Sequence, residues 1–319
     1  MSPVPRAVRV RPRLLLATAV LAAVASAGSA CASQAGRAAL DPTYGSLVHL
    51  YDYDKTAPLE AREEEAETQD GVRNVEISYR SPKLGRVTGY LVLPAGSGPF
   101  PVILWMGGLN GSRDDMLSEA LDLAKSGAAG LLLDAAVARP PYPQLFTYDP
   151  RERATWIRNI VDIRRGLDYL ETRPEIDFKR VGYVGFSFGA DTGMILASVD
   201  HRFSAIVIAS GGATQLDMLK PGGFFYRNVP AEKRAAYVRA AIAPFEPVRY
   251  AAHLAPSSVF FQHGKSDPSF SRANQRLLDG MASSPKRAVY YNAGHQLNSK
   301  AVKDRKAWLL LRLQVGSHR

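Results

Sequence analysis

The chain has one cysteine in 319 residues, Cys31, close to the amino terminus. That scarcity excludes a disulfide framework, a thiolate zinc site and a thiol nucleophile in the body of the chain, so stability must come from core burial. Membrane-spanning length is missing as well: the apolar run from Leu14 to Val24 falls short of the roughly 20 residues a spanning helix needs. Of the net charge of +10, four lie in arginines near the amino terminus and the rest is spread along the sequence rather than gathered into a run, which argues against a nucleic-acid partner. What is present is ordinary globular material, with 46% hydrophobic and 22% charged residues, enough for one large core.

Arg6, Arg9, Arg11 and Arg13 precede the apolar run, and small residues follow it, with a cleavage option at Ala30-Cys31-Ala32. That is the layout of a secretory signal over residues 1–32, and removing its four arginines leaves a charge of +6. The segment also resembles a bacterial lipoprotein signal, in which such a cysteine is lipidated and becomes the new terminus, although Gly28 stands where a larger aliphatic is usual. Both routes imply export to the periplasm or beyond, with membrane contact only through a lipid on Cys31.

Residues 33–73 are polar, carry the acidic run Glu63, Glu64, Glu65 and Glu67, and lack a sustained apolar period, so they read as a surface lead-in. A hairpin follows, Val75–Tyr79 and Val87–Leu93. From Pro101 the pattern changes: short apolar runs at 102–105, 131–133, 181–185, 205–209, 259–261 and 288–291 alternate with helical stretches. Alternation of this kind implies parallel strands joined by crossover helices, an α/β fold in one domain over residues 74–319. It breaks between Gly211 and Ala251. This insertion carries Phe224, Phe225 and Tyr226, and it reads either as a cap over the sheet's carboxyl edge or as a plain surface excursion.

The chemistry is concentrated in Gly185-Phe186-Ser187-Phe188-Gly189, between the apolar strand Val181–Val184 and the helix-compatible Ala190–Ala197. A bare Gly-x-Ser-x-Gly is weak, but the strand, sharp turn and helix around it are what a nucleophile elbow requires. The turn presents the hydroxyl above the sheet at a helix amino terminus, where backbone dipoles favour developing negative charge. Such a serine needs a base, and the base an orienting partner. Asp267 follows the apolar strand Val259–Phe261, and His295, in Ala293-Gly294-His295, follows the next one. That is the chain order serine, acid, histidine. His263, near Asp267, is the one rival and reads as a supporting residue. Oxyanion donors are expected from the backbone amides of Phe188 and of Leu109, in the loop Met106-Gly107-Gly108-Leu109-Asn110-Gly111-Ser112. Asn110-Gly111-Ser112 matches a glycosylation acceptor by coincidence, and Gly264-Lys265-Ser266 is no phosphate loop because Val259 stands where that motif needs its first glycine.

With these residues in place, the chain from about Val75 to Leu313 resembles the α/β-hydrolase superfamily, and within it the dienelactone-hydrolase-like and acetyl-esterase-like bacterial hydrolases. The resemblance rests on Phe100-Pro101-Val102-Ile103-Leu104, Arg173-Pro174-Glu175-Ile176-Asp177 before Arg180-Val181-Gly182, the elbow, His263-Gly264-Lys265-Ser266-Asp267, and Ala293-Gly294-His295. It implies a mostly parallel sheet of about eight strands with helices on both faces, acyl transfer through a serine-bound intermediate, and no cofactor or metal. The sequence departs from the pattern at Gly107, where many relatives carry a histidine, and Ser187 replaces the cysteine of true dienelactone hydrolases. A small-molecule ester is the expected substrate, with Phe186, Phe224, Phe225 and Tyr226 around a hydrophobic acyl or aryl group. A serine peptidase of the prolyl-oligopeptidase type and a non-catalytic cell-envelope binding protein stay open beside this reading. The peptidase would usually add a propeller, for which residues 33–73 leave no room.

Overall fold

A computed structural model of the protein describes residues 43–64, 67–109, 111–140, 150–238 and 243–316. The signal-like segment, Cys31 and Asn110 lie outside them. Ten strands form one sheet in the order β1-β3-β4-β6-β5-β7-β8-β9-β10, with β2 also on β3. They are β1 (Arg62–Glu63), β2 (Glu67–Gln69), β3 (Val72–Arg80), β4 (Arg86–Leu93), β5 (Phe100–Met106), β6 (Ala129–Leu133), β7 (Ile176–Phe186), β8 (Ala205–Ala209), β9 (Ser258–Gly264) and β10 (Lys286–Tyr291). Pairing is antiparallel from β1 to the β4–β6 contact and parallel from β6 through β5, β7, β8 and β9 to β10. The mostly parallel α/β-hydrolase sheet expected from the sequence is therefore present, extended at one edge by two short strands.

Residue pattern explains the arrangement. Every residue of β5, β6 and β8 is buried, as expected for parallel strands covered on both faces. In contrast, β3 at the antiparallel end alternates between buried and exposed positions. The helices are α1 (Tyr44–Val48), α2 (Leu117–Ala124), α3 (Pro150–Glu171), α4 (Phe188–Val199), α5 (Phe224–Asn228), α6 (Arg234–Tyr237), α7 (Arg272–Met281) and α8 (Ser299–Arg312). Between β8 and β9 the described residues contain no strand, only short helical turns including α5 and α6.

The stretch read as a surface lead-in is partly core. Leu47 and Tyr51 are buried, Tyr51 and Tyr250 share a hydrogen bond of 3.1 Å between their hydroxyls, and Tyr44 donates to the Ser198 carbonyl at 2.6 Å. β1 and β2 then pair with β3. Anchoring here uses single aromatic and aliphatic side chains at irregular spacing, which a search for periodicity passes over.

A second departure from a plain apolar core lies under α3. Arg139 and Asp162 are both buried and paired, Ser81 donates to the other Asp162 oxygen at 2.5 Å, and Arg139 also donates to the carbonyls of Asp134 and Arg86. These bonds fasten the loop after β6 to α3 and to the β3–β4 turn. Removing one partner leaves a buried charge uncompensated, and such losses cost about 3–5 kcal/mol. Asp162→Ala is accordingly expected to destabilise the protein by that order in urea unfolding; a loss under about 1 kcal/mol would show the pair to be dispensable.

Candidate active site

The elbow forms because β7 runs straight into α4 with one residue between them. Ser187 has φ 54° and ψ −111°, a conformation that non-glycine residues adopt only when their surroundings enforce it. Those surroundings are tight. A Cβ on Gly185 would sit 2.1 Å from the Gly189 carbonyl oxygen, and one on Gly189 would sit 2.1 Å from that of Met106. The Gly189 amide donates to Gly107 at 3.0 Å, and the buried Tyr183 hydroxyl donates to the Gly189 carbonyl at 2.7 Å. Gly185 is thus required by contact with the start of α4 and Gly189 by contact with the end of β5, and the elbow is braced from beneath.

Ser187, His295 and Asp267 come together at the carboxyl ends of β7, β10 and β9. The Ser187 hydroxyl lies 2.8 Å from His295 Nε2, and His295 Nδ1 lies 2.9 Å and 3.1 Å from the two Asp267 oxygens. The Asp267 side chain is fully buried, and it also accepts from the Ser269 and Phe270 amides at 2.8 Å and 3.3 Å. Asp267 therefore both caps its own turn and holds the imidazole, while the following helix α7 is capped by Ser271. The acid and histidine loops touch so closely that a Cβ on Gly264 would sit 2.0 Å from the Gly294 carbonyl oxygen. Ser210, absent from the sequence reading, donates to the His295 carbonyl at 2.7 Å and ties that loop to the end of β8.

Phe188 is the first residue of α4, where a backbone N–H has no intrahelical acceptor, and Leu109 lines the cavity beside Ser187. His263 is elsewhere: it is buried, with Nε2 2.9 Å from Asp279, and takes no part in the contact with Ser187.

Two cavities open onto Ser187, His295 and Leu109. One, of about 280 Å³, is walled by Trp156, Phe188, Ile195, Met218, Tyr237 and Phe245. The other, of about 520 Å³, is more polar and runs past Gly108, Asp115, Phe186, Gln296 and the paired Glu119 and Arg305. Phe186 borders the second cavity, its ring 5.4 Å from that of His295. Tyr226 corrects the expectation from the insertion's aromatic cluster: it borders neither cavity, and its ring packs against the Arg234 guanidinium at 4.0 Å. The side chains of Phe224 and Phe225 lie outside the described residues. The aromatic wall comes instead from Trp156 on α3 and from Tyr237 and Phe245. Trp156 had no detectable signal in a helix that reads as polar. Asp191 did have one, as the lone charge in the otherwise uncharged helix Phe188–Val199.

Asp191 is buried on the first cavity's wall, and burial pushes its carboxyl up to about 7, with nearby Glu246 adding to the rise and hydrogen bonds from Gln215 and Gly212 opposing it. Glu246 is itself raised, chiefly by burial.

The fold and the serine elbow place the protein in the α/β-hydrolase class. The chain belongs to the esterase FrsA-like family, whose pattern it matches over residues 55–221. It is 32% identical to an esterase FrsA of Enterobacter sp. over 41% of this chain and 30% of that protein. It is 27% identical to acyl-coenzyme A thioesterase 5 of Mus musculus over 46% of this chain and 31% of that one. The matched part thus spans about a third of those curated relatives. Among solved structures, an acetyl xylan esterase from Paenibacillus sp. R4 superposes with TM-score 0.72 at 18% identity, over 86% of this chain and 97% of that one. A putative dienelactone hydrolase from Klebsiella pneumoniae does so with TM-score 0.57 at 16% identity, over 77% and 99%. These two likenesses establish the fold.

The buried Asp191 carboxyl makes stability depend on pH. The unfolded chain releases this proton near 3.8, whereas the folded protein holds it to about 7. The contribution of the neutral form is therefore full below about 3.8 and is lost as pH rises to about 7. Asp191→Asn, which cannot ionise, is expected to raise the melting temperature over the parent protein more at pH 8 than at pH 5. An equal difference at both would refute the raised carboxyl.

Proposed function

We propose that the protein is a serine-dependent carboxylic-ester hydrolase acting through an acyl-enzyme. The observation that carries this is the hydrogen-bonded relay from Ser187 through His295 to Asp267. His295 Nε2 takes the hydroxyl proton as Ser187 Oγ attacks the ester carbonyl carbon, and Asp267 steadies the imidazolium that results. The Phe188 and Leu109 amides hold the oxyanion at the helix amino terminus. His295 then gives its proton to the departing alcohol. A water, deprotonated by the same nitrogen, attacks the acyl carbon, and the tetrahedral intermediate collapses to free acid and Ser187.

The two cavities divide the substrate. The apolar one suits the acyl group, and the polar one beside the oxyanion loop suits the alcohol. Thioesters are the second reading, since matched relatives are named acyl-coenzyme A thioesterases and the same acyl-enzyme forms with a thiol leaving group. Export, with or without a lipid on Cys31, belongs to the proposal on the sequence pattern alone. No helix of the described residues is long and apolar enough to cross a membrane. Fractionation of producing cells tests export and the mass of the recovered chain tests cleavage: a chain found wholly in the cytoplasm with Met1 retained would refute the reading.

Purified protein is expected to hydrolyse p-nitrophenyl esters, with turnover falling off towards decanoate as the chain outgrows the apolar cavity. Ser187→Ala should lower kcat by about a thousandfold or more and abolish labelling by a fluorophosphonate. A labelled, active Ser187→Ala protein would overturn the assignment.

A further inference from the structure

The apolar cavity beside Ser187 is not uniformly apolar, and the exceptions are specific. Asn159 on α3 is 1% exposed; its Oδ1 accepts from the Ala136 amide at 3.0 Å, which fixes the amide's orientation. Its Nδ2 is enclosed and has no hydrogen-bond partner among the described residues, and Asn159 is one of the residues lining the cavity. A buried donor without an acceptor is destabilising and rare, so its position on a cavity wall points to a ligand group that accepts from it. Asp191 on α4 lines the same cavity, and its two oxygens receive only long bonds, 3.4 Å from the Gly212 amide and 3.2 Å from Gln215 Nε2. Lone pairs remain for a ligand donor. Because Asp191 stands one helical turn beyond Ser187, it flanks the acyl chain rather than the reacting carbonyl.

We propose that this cavity selects acyl groups bearing a hydroxyl, which accepts from the Asn159 amide and donates to the Asp191 carboxyl. The proposal rests on Ser187 being the acylated residue. A hydroxyl is the simplest group that answers both side chains. An ammonium would suit an ionised Asp191 but offers nothing to the Asn159 N–H groups, and a carboxylate would suit Asn159 but meets repulsion once Asp191 ionises, near pH 7. A plain alkyl chain leaves both polar groups unanswered. A hydroxyl both accepts and donates, and sites built around a substrate hydroxyl discriminate strongly against the analogue lacking it. Asn159 and Asp191 are specificity residues in this reading, and the chemistry stays with Ser187 and His295.

The test compares p-nitrophenyl 3-(4-hydroxyphenyl)propanoate with its 3-phenylpropanoate parent, and 6-hydroxyhexanoate with hexanoate. The hydroxylated member of at least one pair is expected to have kcat/KM higher by about tenfold or more. That ratio is expected to collapse towards one in Asn159→Asp, which keeps the oxygen on the Ala136 amide but loses the NH2 group, and in Asp191→Leu. Fluorophosphonate labelling of Ser187 verifies that each variant is folded. Wild-type ratios of one or below on both pairs, or ratios unchanged in both variants, would overturn the proposal while leaving the hydrolase reading intact. Should no ester turn over and Ser187 stay unlabelled, the hydrolase reading fails. The pocket is then judged by calorimetry of the Ser187→Ala protein with the two methyl phenylpropanoates, where equal affinity overturns it and tighter binding of the hydroxylated ester supports it.

Discussion

The arrangement around Ser187 depends on one constraint, the close approach of the elbow to the neighbouring strand. Gly185 and Gly189 let the end of β7 and the start of α4 pass within contact distance of each other and of Met106 at the end of β5. In that space the chain between strand and helix has one route, and Ser187 takes it at a positive φ. The backbone alone thus carries the serine to the helix amino terminus, where its hydroxyl meets His295. Everything else is positioned relative to that fixed point. The Asp267 and His295 loops reach it because β9 and β10 lie in parallel beside β8, and all end on the same side of the sheet.

Much of this geometry was legible in the sequence because it rests on local chemistry. An apolar run entering Gly-x-Ser-x-Gly and a helix-compatible stretch can form few structures other than an elbow. The alternation of apolar runs with amphipathic stretches likewise left little choice but a parallel sheet. Asp267 and His295 were legible by order along the chain, since each follows a short apolar run that ends in a turn carrying glycine.

What the sequence concealed depends on packing between distant segments. Tyr226 sits in a conspicuous aromatic cluster, yet a nearby arginine occupies its face. Trp156 and Asn159 share a cavity with Ser187 only because α3 packs against α4, a contact with no trace in local pattern. The buried Arg139 and Asp162 pair is similar: each residue alone reads as solvated, and burial follows from the loop, helix and hairpin turn meeting at one point. The core role of Leu47 and Tyr51 escaped periodicity because isolated side chains carry no period.

The hydrogen bond between Ser187 and His295 joins residues 108 positions apart, and that between His295 and Asp267 joins residues 28 apart. Closing the larger loop costs chain entropy that is recovered only when the last strand, β10, has docked onto β9. A nascent or refolding chain can therefore complete its elbow long before its serine has a base. An unfinished sheet holds an inert hydroxyl, and reactivity at Ser187 arrives with the final strand, so this chain carries its own report of a completed sheet.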